Sequence, residues 1–116
     1  KKGRFMEIQD ISKLIIDFRD KRNWEQFHQI KDLLLGLDIE VSELMELFLW
    51  KSDSEIAKIP KEIIENELAD IFIFLTYVAD KFNINLEESI VEKIKINDQK
   101  YPVSKSFGSN KKYNEL

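Results

Sequence analysis

The sequence predicts an all-α protein built as a four-helix bundle, and three observations carry that prediction. Its 116 residues include only three Gly and two Pro, little material for turns, while Leu, Ile, Glu and Lys abound and favour helices. Apolar residues recur at three- and four-residue steps, the period of a helix with one buried face. The third observation is the run from Leu68 to Ala79, in which Asp70 is the only charge. A helix that is apolar nearly all round in so small a domain is usually covered by a partner subunit, so a homo-oligomer is expected.

The first helix runs from about Glu7 to Arg22 on a stripe of Ile8, Ile11, Leu14, Ile15 and Phe18. Asn23 interrupts it, and Trp24-Glu25-Gln26-Phe27-His28 is aromatic-rich without a long period. The second helix spans about Gln29 to Trp50, with Leu33, Leu37, Val41, Leu44 and Phe48 facing inward and Leu34 and Leu47 at the margins. Ser52-Asp53-Ser54 reads as a loop or helix end. Pro60 suits the first position of the third helix, which continues to about Phe82 and is closed by Asn83-Ile84-Asn85. The fourth runs from Leu86 to about Gln99 and stops at Tyr101-Pro102. The chain reads as one domain over residues 1–116, with a flexible start over about 1–6 and a loose tail over about 103–116.

Composition narrows the function. A net charge of −4 and the lack of a basic recognition helix disfavour nucleic acid as a partner. Without cysteine there is neither a disulfide framework nor a thiolate metal site. No apolar run approaches the roughly 18 residues of a membrane helix, and the start lacks a secretory apolar segment. A cytoplasmic protein with no membrane partner is expected.

Candidate chemistry lies in two carboxylate pairs. Glu67 and Asp70 share a helical arc with Ile63, Ile71, Phe74 and Val78, a face that should be dry. Burying a carboxylate without a partner costs several kcal/mol, so these two need compensation. Glu40 and Glu43 repeat the i, i+3 spacing on the second helix. Packing those helices together gathers all four into a site for a hard divalent cation. All-oxygen ligands suit Mg²⁺ or Mn²⁺, whereas Zn²⁺ usually takes His or Cys. The only histidine, His28, belongs to no Glu-x-x-His pair of the di-iron type. Because Mg²⁺ keeps waters or takes phosphate oxygens, the implied ligand is a phosphorylated molecule. A buried salt bridge to Lys or Arg is the alternative account of Glu67 and Asp70.

Glu40-Val-Ser-Glu43 followed by Glu67-Leu-Ala-Asp70 resembles the ExxE…ExxD signature of the MazG-like all-α nucleoside triphosphate pyrophosphohydrolases. The segment from Arg22 to Gln29, the run Glu46-Leu-Phe-Leu-Trp50-Lys51, Asn97 with Lys100-Tyr101-Pro102, and the terminal Lys112-Tyr-Asn-Glu-Leu116 are similar to the dCTP pyrophosphatase branch and its small bacterial relatives. The likeness covers about residues 8–116. It implies hydrolysis of deoxynucleoside triphosphates between the α- and β-phosphates, with dCTP ranked first and dATP or modified dNTPs also possible. It implies that Glu40, Glu43, Glu67 and Asp70 are the catalytic and metal residues and hold Mg²⁺. It further implies that Trp24, Glu25, Gln26, Phe27, His28, Trp50 and Phe74 line the nucleoside pocket, and that Lys93, Asn97 and Tyr101 meet phosphate or sugar. The assembly it implies is a tetramer, a dimer being the smaller alternative.

Two positions depart from that branch: Ile15 stands where a pocket histidine is expected, and Phe74 where a tyrosine is expected. Each removes a hydrogen-bonding group, which loosens the case for strict dCTP preference. The rival readings are a dUTPase-like or broad house-cleaning pyrophosphatase, and a non-catalytic nucleotide-sensing helical module.

Overall fold

The computed structural model describes residues 7–116; the flexible start expected over about 1–6 lies outside them. Two compact units emerge, one ending at Ile84 and the other spanning Asn85–Leu116. The first holds α1 (Ile8–Asp20), a single 3-10 turn (Glu25–Phe27), α2 (Ile30–Glu46), α3 (Asp53–Ile56) and α4 (Lys61–Lys81). The second holds α5 (Leu86–Lys100), α6 (Val103–Ser106) and a 3-10 turn (Tyr113–Glu115). The described residues contain no strand, as the all-α reading expects.

Helix boundaries follow local chemistry. Asn23 and Asn83, each at φ +54°, take the left-handed conformation that ends helices and that Asn tolerates. Asn85 caps α5 by accepting from the Glu88 N–H at 3.0 Å. Pro60 is the N-cap of α4, one residue before the first-turn position expected for it.

Three expectations need correction. The second helix stops at Glu46 rather than Trp50: the N–H groups of Leu47, Phe48 and Leu49 donate three residues back, to Leu44, Met45 and Glu46. This tightening unwinds the α-helix, and Trp50 at φ +63° ends it. Next, Ser52 starts a short helix of its own. Its hydroxyl accepts from the Glu55 N–H while Glu55 accepts from the Ser52 N–H at 2.8 Å, a capping box. Finally, the tail is not loose throughout, because Tyr113 packs edge-on against Tyr101 at 6.1 Å beneath the Lys100 ammonium.

The core of the first unit is Leu33, 2 % exposed, with Tyr77 and Ile15, surrounded by Ile11, Ile30, Phe72, Ile73 and Val78. α2 and α4 run antiparallel in a steady register. Leu33 shares the core with Tyr77, Gly36 faces Phe74, Glu40 faces Glu67 and Asp70, and Leu47 lines one groove with Ile63. α1 meets α4 near its C-terminal end, at Tyr77 and Asp80. The opposite half of α4 therefore has fewer neighbours in this unit. On the expected dry arc Ile63 and Asp70 are exposed while Ile71, Phe74 and Val78 are half-buried, so it is only partly dry; on the other side of α4 Ala79 is buried but Leu68 and Leu75 are exposed.

Candidate functional site

The site grows from the α2–α4 register. Carboxylate oxygens of Glu40, Glu67 and Asp70 lie within 4.8 Å of one another, where three negative charges repel. Among the described residues, Glu40 Oε1 and Glu67 Oε1 are buried without a hydrogen-bond partner, a costly state for a carboxylate. Burial pushes the Glu40 carboxyl up to about 7, reinforced by the charges of Glu43, Asp70 and Glu67 and, once Glu40 is protonated, by a hydrogen bond to the Glu67 carboxylate. No ion pair from Lys or Arg to this cluster is found among the described residues. That disfavours the salt-bridge alternative. Orphaned, oxygen-only ligands on two helices fit a hard divalent cation. Glu43 lies outside the triangle, near enough for its charge to act on Glu40.

One turn along α4 from Asp70, the aromatic end begins. Phe74 meets the Tyr77 ring edge-on at 5.9 Å, and Tyr77 packs on His28 at 4.5 Å. Burial, then the charges of Arg19 and Lys81, lower the His28 pKa, leaving a neutral ring with a buried, unpartnered Nδ1. Trp24 leans its edge on Phe18 at 5.7 Å, while the Arg22 guanidinium stacks over Phe18 at 3.7 Å. Glu25, Gln26 and Phe27 form the 3-10 turn and are exposed. Trp50 is 92 % exposed. Ile15 is enclosed in the core with Leu33 and Tyr77.

In the second unit, Lys93, Asn97 and Tyr101 succeed one another at four-residue steps along one face of α5 and its cap. Lys93 is exposed, Asn97 is half-buried, and Tyr101 holds Tyr113.

Two further residues shape the site without having drawn notice in the sequence. Arg19 is 3 % exposed and donates to Asp20 at 2.8 Å and to Asp80 at 2.9 Å, with Glu25 at 3.9 Å. Burial works against its charge, but these acids outweigh it and raise its pKa. Its carbonyl also accepts from the Trp24 N–H, so Arg19 anchors the aromatic turn. The available signal was a charge four residues after Ile15, on the apolar stripe. Tyr77, 5 % exposed beneath His28, was hidden within the apolar run.

Known proteins resemble this chain in sequence and in fold. Residues 35–116 match the MazG-like family. dCTP pyrophosphatase 1 of Mus musculus is 44 % identical, the match covering 94 % of this chain and 67 % of that protein. The Homo sapiens protein of that name is 40 % identical over the same shares. A pyrophosphatase from Archaeoglobus fulgidus has the same fold with a TM-score of 0.74 at 33 % identity, covering 88 % of this chain and 99 % of its own. The family match takes in both carboxylate pairs, and the chain belongs to the MazG-like family.

Proposed function

We propose that this chain is a Mg²⁺-dependent pyrophosphohydrolase that converts deoxynucleoside triphosphates to monophosphate and pyrophosphate. The observation that carries the reading is the triangle of Glu40, Glu67 and Asp70 with two buried, unpartnered oxygens. Glu43 joins them as the fourth ligand. Mn²⁺ would satisfy the same oxygens. A bound cation supplies neutralising charge for the phosphate oxygens. The chain's own part is to hold the triphosphate in line, accept a proton from the attacking water on one carboxylate, and exclude bulk water with the aromatic segment. Trp24, Phe27, His28, Trp50 and Phe74 receive the nucleoside.

The relatives named dCTP pyrophosphatase 1 put dCTP first in the expected ranking. Ile15 and Phe74 bring no hydrogen-bonding groups, which favours a broader range that includes dATP or modified bases. Exposed Leu34, Leu35 and Ile39 on α2, with Leu68 and Leu75 on α4, support a homo-oligomer, a tetramer by preference, in which a second copy covers these side chains. A dNTP substrate goes with a cytoplasmic location.

The test is a nucleotide panel with Mg²⁺, scored for pyrophosphate release, on protein whose mass in solution is set by light scattering. dCTP should turn over fastest, chelation should stop all turnover, and Glu40→Ala and Asp70→Ala should each lose at least about 100-fold in kcat while remaining folded. Equal turnover of every triphosphate would replace the selective reading with a house-cleaning one. Wild-type rates in both variants would remove the metal assignment.

A further inference from the structure

We propose that Gly36 is a positioning residue that sets the depth of the nucleoside pocket by seating the Phe74 ring; the inference rests on the dNTP reading above. Gly36 occupies the interior of α2, where glycine weakens a helix relative to alanine. Something else must favour it there. A Cβ built on Gly36 would fall on the Phe74 ring, 2.7 Å from Cζ and in hard overlap with Cε1. The bare Cα is thus the recess into which the ring sinks.

The α2–α4 register gives this recess its chemical meaning. Gly36 precedes Glu40 by one turn and Phe74 follows Asp70 by one turn, so the pair forms the layer next to the carboxylate triangle. On its other side stand Tyr77 and His28, the latter with its unpartnered Nδ1. A nucleoside whose phosphates sit at the triangle and whose base turns toward this aromatic end passes over the Phe74 ring. A phenyl ring has no hydrogen bond with which to read a base, so it discriminates by the space it leaves. With glycine opposite, the ring withdraws toward α2 and leaves room for a purine. A methyl group on residue 36 pushes the ring outward and removes that room, leaving the carboxylates in place.

The experiment compares Gly36→Ala, Phe74→Leu and the double variant with the wild type. For each, kcat/KM is measured with dATP and dCTP, binding of dAMP and dCMP by calorimetry, and folding by thermal melting. Gly36→Ala should lower the dATP to dCTP ratio of kcat/KM about tenfold, mainly through KM, since one methylene in a pocket is worth roughly 10- to 200-fold. The dAMP affinity should fall with it. Phe74→Leu should raise that ratio, and combining Phe74→Leu with Gly36→Ala should bring it back toward wild type. Phe74→Leu keeps the helix glycine, so it reads the pocket even where Gly36→Ala melts early. A wild type that hydrolyses dNTPs while the ratio stays fixed in both single variants overturns the pocket role alone. A wild type that neither binds nor hydrolyses any dNTP overturns the underlying reading, and this inference with it.

Discussion

Trp50 holds its indole in solvent on a left-handed backbone, 92 % exposed at φ +63°. That conformation costs a non-glycine residue about 1–2 kcal/mol, and the exposed ring recovers little of it by packing. The Asn residues at 23 and 83 take the same conformation with a side chain suited to it; a tryptophan does not. Strain of this kind at an exposed aromatic points to a ligand contact. Replacing Trp50 by Gly should therefore give a more stable protein than replacing it by Ala, by roughly 0.5–1 kcal/mol once the looser unfolded chain is counted. Urea denaturation of the two variants measures this. Both should raise KM for dCTP about tenfold or more, since stacking an aromatic on a base contributes about 1–3 kcal/mol. An unchanged KM would remove Trp50 from the pocket.

Between elements, α1, the aromatic turn and α4 are tied together by Arg19. Its guanidinium is buried, whereas the Asp80 carboxylate it holds is 40 % exposed and can fall back on water. Arg19→Ala should therefore cost about 2–4 kcal/mol, toward or below the low end for breaking a fully buried pair. Arg19→Lys keeps a charge but not the fork that reaches Asp20 and Asp80 together, and should cost about half as much. Urea melts decide this, and a loss below about 0.5 kcal/mol for Arg19→Ala would mean that desolvation cancels the pair. α1, α2, α4 and α5 were legible in the sequence because apolar period and Asn or Pro punctuation agree along each segment. The end of α2 was not, because Leu47 and Phe48 prolong the apolar pattern through turns that are no longer α-helical. α3 was missed because a helix of four residues has no period to read, although Ser52 and Glu55 carried its capping signature. The i, i+3 carboxylates pointed to Glu40, Glu67 and Asp70. Gly36 and Tyr77 were silent because each acts through a residue distant in sequence, and periodicity within one helix cannot report on that; Arg19 left only the trace of a charge on the apolar stripe of α1.

Across the whole molecule, the carboxylate cluster is a stability cost that depends on pH and that a cation removes. The Glu40 pKa rises from its ordinary 4.5 to about 7, first through burial and then through its acidic neighbours. Between those values the folded protein binds a proton that the unfolded chain has released. Stability of the metal-free protein therefore falls as pH rises through this window. His28 acts in the opposite sense: its lowered pKa means that the unfolded chain takes up the proton first, so its contribution rises with pH up to about its ordinary 6.5. Comparing wild type with Glu40→Gln isolates the glutamate, because His28 contributes equally to both. In metal-free buffer the variant should gain on the wild type steadily from about pH 5 to about pH 8, read as the difference in urea unfolding free energy. Mg²⁺ at saturation should reverse the order at about pH 8, because the cation binds the ionised cluster of the folded wild type and stabilises it by mass action. Below about pH 7 the wild type must lose a proton to bind, so its Mg²⁺ affinity should fall by up to about tenfold per pH unit. A gap between wild type and Glu40→Gln that does not change across this pH range, with or without Mg²⁺, would show that Glu40 titrates as a solvent carboxylate and holds no cation.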